Sequence, residues 1–138
     1  MEVNSIENGI VIDHIRAGLG RKILSYMNIE SGDTVALIMN ATSKKHARKD
    51  IIKIENIREF DLAALAVLDH TATVNVIKQG KIVEKINLDL PEKVVDVLRC
   101  KNPRCVTSVE PAIPQIFHLV SPETVEYRCE YCDEIIKP

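Results

Sequence analysis

The 138-residue sequence has no cysteine before position 100, no long apolar run and no excess of charge of either sign. Its apolar runs are far shorter than the roughly 20 residues that a membrane helix needs, so we expect no membrane segment. The 18 Lys and Arg residues nearly balance the 20 Asp and Glu residues. No global positive field therefore attracts nucleic acid or an anionic membrane, and the composition predicts neither as the main partner.

The sequence also lacks the motifs of several enzyme classes. It contains no Walker-type phosphate loop, no Gly-x-Ser-x-Gly, no His-Glu-x-x-His and no dinucleotide fingerprint. The first residues, with Glu2, Asn4 and Glu7, do not have the pattern of a secretory signal. We therefore expect a cytoplasmic protein whose thiols stay reduced, and a protein that is not an enzyme.

The four cysteines form two close pairs, Cys100-x4-Cys105 and Cys129-x2-Cys132. Two such pairs are typical of a site in which four thiolates bind zinc, and we predict one Zn²⁺ per chain. An iron–sulfur cluster uses the same ligands, and buried cysteines without a metal are the remaining alternative. A closed shell of four sulfurs has no position for water or substrate, so the metal is predicted to be structural.

All four cysteines lie in the last third of the chain, and Pro91 favours an exit from the sheet that precedes them. We therefore divide the chain into domains 1–91 and 92–138. The first is predicted to be α+β, a mainly antiparallel sheet with two helices on one face (ferredoxin-like). The second is predicted to be a small β zinc-ribbon-like domain that cannot fold without a staple. Strands are predicted at 9–15, 34–39 (central in the sheet), 51–54, 72–77 and 82–86, helices at 19–27 and 61–68, and a loop at 41–47. Asp61 is predicted to cap the second helix, and Gly80 to take positive φ in a hairpin turn at 78–81.

Three lysines of the first domain are candidate ligand contacts. Lys49 and Lys53 share one face of a strand with Ile51, roughly 13 Å apart at about 3.3 Å per residue. They are suited to opposite ends of an extended ligand such as a nucleoside triphosphate, and Lys85 adds a third charge if its strand lies nearby. The alternative is a solvated basic face. Asp13-His14 is either a polar ligand contact or an ordinary pair at a strand end.

Several motifs, in order and at matching separations, resemble the regulatory chain of aspartate carbamoyltransferase along almost the whole sequence. They are Gly9 to Ile15, Arg48 to Asn56, Ala72 to Asn75, Leu90 to Glu92, Val97 to Cys100, Asn102, Cys105, Glu110-Pro111 and Cys129-x-Tyr131-Cys132. The resemblance implies an allosteric domain that binds CTP or ATP and pairs with a second regulatory chain. It also implies a zinc domain that docks on the catalytic chain, where all the catalytic residues would lie, in an enzyme of pyrimidine biosynthesis.

The resemblance also implies roles for individual residues. It assigns nucleotide contacts to Val3, Ile6, Asp13, His14, Lys53, Asn75, Ile77, Ile82 and Lys85, with Lys49 close to the same pocket, and a partner interface to Asn102 and Glu110. Two rival functions are a zinc-ribbon adaptor that binds nucleic acid and a ligand-sensing domain with an unrelated partner. Residues 98–138 carry five basic and six acidic side chains, whereas a nucleic-acid reader has a basic excess.

Overall fold

The computed structural model describes residues 5–27, 29–44, 47–56 and 61–138. Contacts within the chain divide it into two compact units, one ending at Leu88 and the other beginning at Asp89. Among the described residues, no helix is long and apolar enough to cross a lipid bilayer.

The first unit, as far as it is described, is an α+β fold with one five-stranded antiparallel sheet. Its elements are β1 (Gly9–Arg16), α1 (Gly20–Tyr26), β2 (Val35–Thr42), β3 (Arg48–Glu55), α2 (Leu62–Leu68), β4 (Thr73–Lys78) and β5 (Lys81–Asn87). The strand order β2-β3-β1-β4-β5 places β1 in the centre. The predicted fold class is confirmed, and the first four strands have the ferredoxin-like order.

Both helices pack on the same face of this sheet, in agreement with the prediction. Successive side chains of a strand point to opposite faces, and one face of β1, β3 and β4 supplies the aliphatic core. The core includes Ile10, Ile12, Ile15, Ile52, Ile54 and Val74 from the strands, Ile23 from α1 and Leu65 from α2. The described helices leave the opposite face of the sheet open.

Local sequence signals place several elements correctly. Helix α1 lies within the predicted range 19–27. The Asp61 carboxylate accepts hydrogen bonds from the backbone N–H groups of Ala63 and Ala64 and so caps α2. Gln79 and Gly80 both have positive φ, 52° and 76°, as a two-residue hairpin turn of type I′ requires. Capping and turn chemistry are therefore confirmed at these sites.

Strand β2 differs from the prediction. The sequence predicts a central strand at 34–39 and a loop at 41–47, but β2 runs from Val35 to Thr42 at one edge of the sheet. The predicted strand is present, but its predicted central location and its predicted end were wrong. A run of apolar residues was taken as a sign of full burial. The side chains of Val35 to Ile38 are only partly buried within this chain.

Asp50 of β3 joins three separate backbone segments. Its carboxylate accepts hydrogen bonds from the N–H groups of Gly18 (3.0 Å), Gly20 (2.9 Å) and Asn40 (2.9 Å), and its side chain is fully buried. Helix α1 has no side-chain cap of its own at Leu19, so Asp50 supplies from strand β3 an acceptor for the N–H of Gly20, its first residue. A Cβ atom on Gly20 would lie 2.8 Å from the Asp50 Oδ2 atom, so this position requires glycine.

We expect Asp50→Asn to destabilise the first unit by about 2 kcal/mol or more, because an amide offers one acceptor atom where three N–H donors converge. The matched control is Asp61→Asn, since asparagine and aspartate cap helices about equally well. Urea unfolding followed by far-ultraviolet circular dichroism measures both free energies. Equal stability of the two variants would contradict the role given to Asp50.

The second unit is a small β domain with little apolar interior. Its described elements are β6 (Lys93–Val95), α3 (Val106–Val109), β7 (Ile116–Ser121), β8 (Glu126–Cys129) and β9 (Ile135–Ile136), and the strands form one sheet in that order. Phe117 and Tyr127 are fully buried, and the Tyr127 hydroxyl donates to the Pro91 carbonyl at 2.7 Å. A domain with so small a core needs a further stabilising element, such as a structural metal ion, to fold.

Candidate metal centre and ligand face

The four cysteine sulfurs of the second unit come together in one cluster. Their Sγ atoms all lie within 4.8 Å of one another, with 3.5 Å between Cys100 and Cys132 and 3.8 Å between Cys105 and Cys129. Ligand sulfurs about 2.3 Å from a tetrahedral metal ion are roughly 3.8 Å apart, whereas the sulfurs of a disulfide are about 2.05 Å apart. All four thiols are free, and their geometry fits a metal ion.

Hydrogen bonds in the first knuckle, residues 100–105, fix the positions of its ligands. The Asn102 carbonyl accepts from the Cys105 N–H (3.1 Å) and the Ser108 hydroxyl (2.7 Å), and its side-chain oxygen accepts from the Arg104 N–H (3.0 Å). The Cys100 N–H donates to the side-chain oxygen of Gln115. Asn102, assigned above to a partner interface, therefore also holds the knuckle together.

The second knuckle, residues 129–132, follows directly from strand β8. Cys129 is the last residue of that strand, and its N–H donates to the Glu134 carbonyl at 2.9 Å. The Asp133 N–H closes the turn by donating to the Cys129 carbonyl at 3.0 Å, with Asp133 at a φ of 63°. Sheet pairing and turn geometry thus bring Cys129 and Cys132 to the other two sulfurs.

The electrostatics of the cluster favour a bound cation. A hydrogen bond from the Thr107 hydroxyl is the largest cause that lowers the pKa of Cys105, to about 7. Burial is the largest cause that raises the pKa of Cys100, to about 12, and its hydrogen bonds to Cys132 and Cys105 add to this effect. Four adjacent thiolates repel one another, and a divalent cation is what allows all four to be deprotonated together.

The open face of the first sheet carries most of the other predicted contacts. Paired positions on four neighbouring strands form a row that reads Lys53, Val11, Asn75 and Lys85. Three intervals of about 4.8 Å separate the two lysine positions by roughly 14 Å. Only an extended ligand reaches both lysines. The structure thus places Lys85 in the same row as Lys53, as the sequence allowed.

The polar groups in this row have few partners of their own. The Asn75 Oδ1 atom is buried and has no hydrogen-bond partner among the described residues. Neither Lys53 nor Lys85 forms an ion pair with any residue in the described ranges. Buried polar atoms are nearly always satisfied in folded proteins, so an unsatisfied oxygen between two such lysines marks a place where a ligand can donate a hydrogen bond.

Asp13, His14 and Lys49 lie beside the row and bind one another or nearby groups. Lys49 Nζ is 2.9 Å from Asp13 Oδ1, the His14 N–H donates to that same oxygen at 2.6 Å, and His14 Nδ1 lies 2.9 Å from the hydroxyl of Thr73. Burial opposes ionisation of Asp13, but Lys49 and the His14 N–H outweigh it and lower the pKa of that carboxyl. The ion pair with Asp13 distinguishes Lys49 from Lys53 and Lys85.

The apolar candidates lie near the β4–β5 hairpin. Ile77 and Ile82 are paired across it, the first buried and the second 62 % exposed. The N-terminal segment that contains the buried Ile6 is tied to the same turn, since the Gly80 N–H donates to the Glu7 carbonyl at 2.9 Å. Val3, the remaining candidate, lies outside the described residues.

Sequence reasoning missed two groups that support the sites. Thr107 Oγ1 lies 3.1 Å from Cys105 Sγ. The sequence signal for this contact is a hydroxyl residue two positions after a ligand cysteine. Asp50 has no comparable signal, because its three partners come from distant parts of the sequence.

Comparison with known proteins relates both units to one family. The family described as "Aspartate carbamoyltransferase regulatory chain, allosteric domain" matches residues 1–89, and "Aspartate carbamoyltransferase regulatory chain, metal binding domain" matches residues 92–138. Similar curated proteins, each named aspartate carbamoyltransferase regulatory chain, come from Clostridium tetani, Clostridium botulinum and Bifidobacterium longum.

The similarity extends over nearly the full length of these relatives. The Clostridium tetani protein is 53 % identical over 99 % of this chain and 96 % of its own. The corresponding values are 57 %, 98 % and 93 % for Clostridium botulinum, and 55 %, 99 % and 99 % for Bifidobacterium longum. The four-sulfur centre coincides with the metal-binding domain and the open sheet face with the allosteric domain, and the chain belongs to the family of aspartate carbamoyltransferase regulatory chains, which are regulatory and not catalytic.

Proposed function

We propose that this chain binds the nucleotide effectors CTP and ATP on its first domain and transmits their binding to an associated catalytic chain of aspartate carbamoyltransferase. Residues 1–91 form the nucleotide-binding allosteric domain in this proposal, and residues 92–138 the zinc domain that docks on the catalytic chain. The protein acts in the cytoplasm, in pyrimidine biosynthesis, and supplies no catalytic residue.

The observation that carries the nucleotide proposal is the Asn75 Oδ1 atom, which lies in a row between two lysines. Among the residues that the structure describes, this oxygen has no hydrogen-bond partner and neither lysine has an ion pair. A nucleotide offers both matching chemistries, since its base and ribose carry N–H and O–H donors and its phosphates are anionic. In our proposal Lys85 meets the phosphates, while Lys53 and the backbone near Ile6 meet the base and sugar. Hydrogen bonds between charged groups are shorter and stronger than neutral ones.

Zinc is the metal that we propose for the four-cysteine centre. Four thiolates in a tetrahedron are the usual ligands of a structural zinc ion, and the distances between the sulfurs agree with that geometry. Bound zinc contributes folding free energy to a domain whose apolar core is small. Its function here is to shape the knuckles, since no ligand position is left for a reacting group.

The proposed partners match surfaces that this chain leaves exposed. For the catalytic chain, we propose a surface that includes Asn102, Glu110 and the apolar side chains of Val106 and Val109, which are 45 % and 74 % exposed. For a second regulatory chain, the edge strand β2 is suitable, because it carries no charged residue to discourage pairing with another strand.

In this proposal the catalytic residues all lie on another chain, so a nucleotide bound to this chain acts only through linkage. It changes activity if it binds the regulatory chain with different affinity in the low-activity and high-activity states of the assembly. The coupling free energy between such sites is typically about 1–3 kcal/mol. An effect of nucleotide on the response to aspartate therefore requires both domains of this chain.

We expect the purified chain to have no carbamoyl-transfer activity, and to change the aspartate saturation curve when it is added to the catalytic subunit from the same organism. Addition of CTP or ATP should then shift the aspartate concentration at half-saturation. The catalytic subunit alone, with and without nucleotide, is the control. Turnover by this chain alone, or a saturation curve unchanged by its addition, would contradict the proposal.

A further inference from the structure

A buried hydroxyl lies against one of the four sulfurs in the second domain. Thr107 is in the short helix α3, two residues after Cys105, and its Oγ1 atom is 3.1 Å from the Cys105 Sγ atom. Thr107 is 6 % exposed and Cys105 is 1 % exposed. Neither group can exchange this contact for one with bulk water while the domain is folded.

The direction of this hydrogen bond follows from the chemistry of a metal ligand. A sulfur that binds a metal is a thiolate and carries no proton, so the Thr107 hydroxyl must be the donor. Within the described part of the chain, this hydroxyl has no second hydrogen-bond partner. Cys105 is also the one ligand sulfur that a side-chain hydroxyl approaches among these residues.

We infer that Thr107 is a positioning residue for the metal, one that holds the Cys105 thiolate in its ligand position through an O–H to sulfur hydrogen bond. The inference rests on the metal site proposed above and adds to it a residue that does not touch the metal. Groups that hydrogen-bond to metal ligands fix their orientation, and their loss typically weakens metal binding by about 10- to 100-fold.

The location of Thr107 explains why one hydroxyl can hold the Cys105 sulfur in its ligand position. Cys105 precedes the first turn of α3, where the Ser108 N–H donates to the Cys105 carbonyl at 2.9 Å. The backbone of α3 therefore fixes Thr107 relative to Cys105, and the hydroxyl in turn fixes the sulfur. The buried sulfurs of Cys105 and Cys129 are then already arranged when the metal arrives, so less order has to be created on binding.

The test is the variant Thr107→Val, which keeps the shape of the side chain and removes the hydroxyl. We expect its zinc affinity, measured in the full chain by competition with a chromogenic chelator, to fall about 10- to 100-fold. In the cobalt-substituted protein, the sulfur-to-cobalt charge-transfer band should move to longer wavelength, because the thiolate loses a hydrogen bond that withdraws electron density. Thr107→Ser should restore both values.

A matched control separates this role from general support of the knuckle. The Ser108 hydroxyl donates to the Asn102 carbonyl at 2.7 Å, in the same turn but without contact to a sulfur. Ser108→Ala should therefore leave the charge-transfer band in place. An unshifted band in Thr107→Val, or equal zinc affinity in Thr107→Val and the wild type, would overturn the inference. If the wild-type chain bound neither zinc nor cobalt, the proposed metal site itself would be wrong and the inference would fail with it.

Discussion

Replacement of Cys129 by serine is expected to unfold the second domain and leave the first one folded. Zinc binding to small four-ligand domains contributes on the order of 10 kcal/mol to folding, as much as the whole stability of a typical domain. Cys129 is fully buried and is the last residue of strand β8. A serine there supplies no thiolate and leaves a buried hydroxyl, so the variant loses a ligand and gains a buried polar group.

Hydrogen exchange of the full chain measures the two domains separately. In Cys129→Ser we expect loss of protection for the amides of β7 and β8 and unchanged protection for those of β1, β3 and β4. The zinc content should fall from one equivalent to near zero, and an excess of chelator should reproduce the same pattern in the wild type. Val120→Ser is the control, since Val120 lies on β7 and is 50 % exposed. One tightly bound zinc in Cys129→Ser, with β7 and β8 still protected, would contradict the structural role of the metal.

The metal centre was predictable from the sequence because its ligands form two short motifs. Spacing within each pair fixes a knuckle, and the tetrahedral geometry of a four-sulfur site fixes how the pairs meet. The capping of α2 by Asp61 and the hairpin turn at Gly80 were predictable for the same reason, since the interacting groups are within a few residues of each other. Chemistry that is local in sequence needs no knowledge of the fold.

Long-range contacts account for most of what sequence reasoning did not find. Asp50 binds N–H groups that are 10 to 32 residues away, and no pattern around Asp50 indicates them. The bulge between Ile12 and Ile15 of β1, with His14 at a φ of 58°, re-aims the strand beyond Asp13. The edge location of β2 depends on which strands pair, and an apolar run does not determine that pairing.

The open face of the first sheet combines both kinds of information. Alternation within a strand predicts that Lys49 and Lys53 share a face, and the structure agrees, since Asp50, Ile52 and Ile54 are buried on the other side. The register between strands adds Asn75 and Lys85 to the same row. The structure also distinguishes the lysines, because the Lys49 side chain forms an ion pair with Asp13. This difference between the lysines predicts different effects of their substitution.

Replacement of Lys85 by alanine is expected to weaken the binding of CTP and ATP by about 10- to 100-fold, because a hydrogen bond to a charged group is worth about 1.5–3 kcal/mol. Isothermal titration calorimetry of the full chain measures this change. Lys81→Ala is the matched control, since Lys81 is an exposed lysine of the same strand that pairs with Lys78 at the hairpin turn. A tenfold loss in Lys81→Ala, or none in Lys85→Ala, would contradict the proposed phosphate contact.

Asn75→Leu tests the same site, because a ligand contact and a structural residue predict opposite effects on stability and on nucleotide affinity. The Asn75 Oδ1 atom is buried and has no hydrogen-bond partner in the described part of the chain, and a buried unsatisfied acceptor costs about 1–3 kcal/mol. Its replacement by a leucine of similar size should leave the free energy of unfolding unchanged or raise it. Nucleotide affinity should fall, because the N–H or O–H group of the nucleotide that donates to Asn75 Oδ1 would then lie against a methyl group. A structural asparagine would give the reverse result, lower stability with affinity retained, so thermal unfolding and calorimetry on this one variant distinguish a ligand contact from a role in the fold.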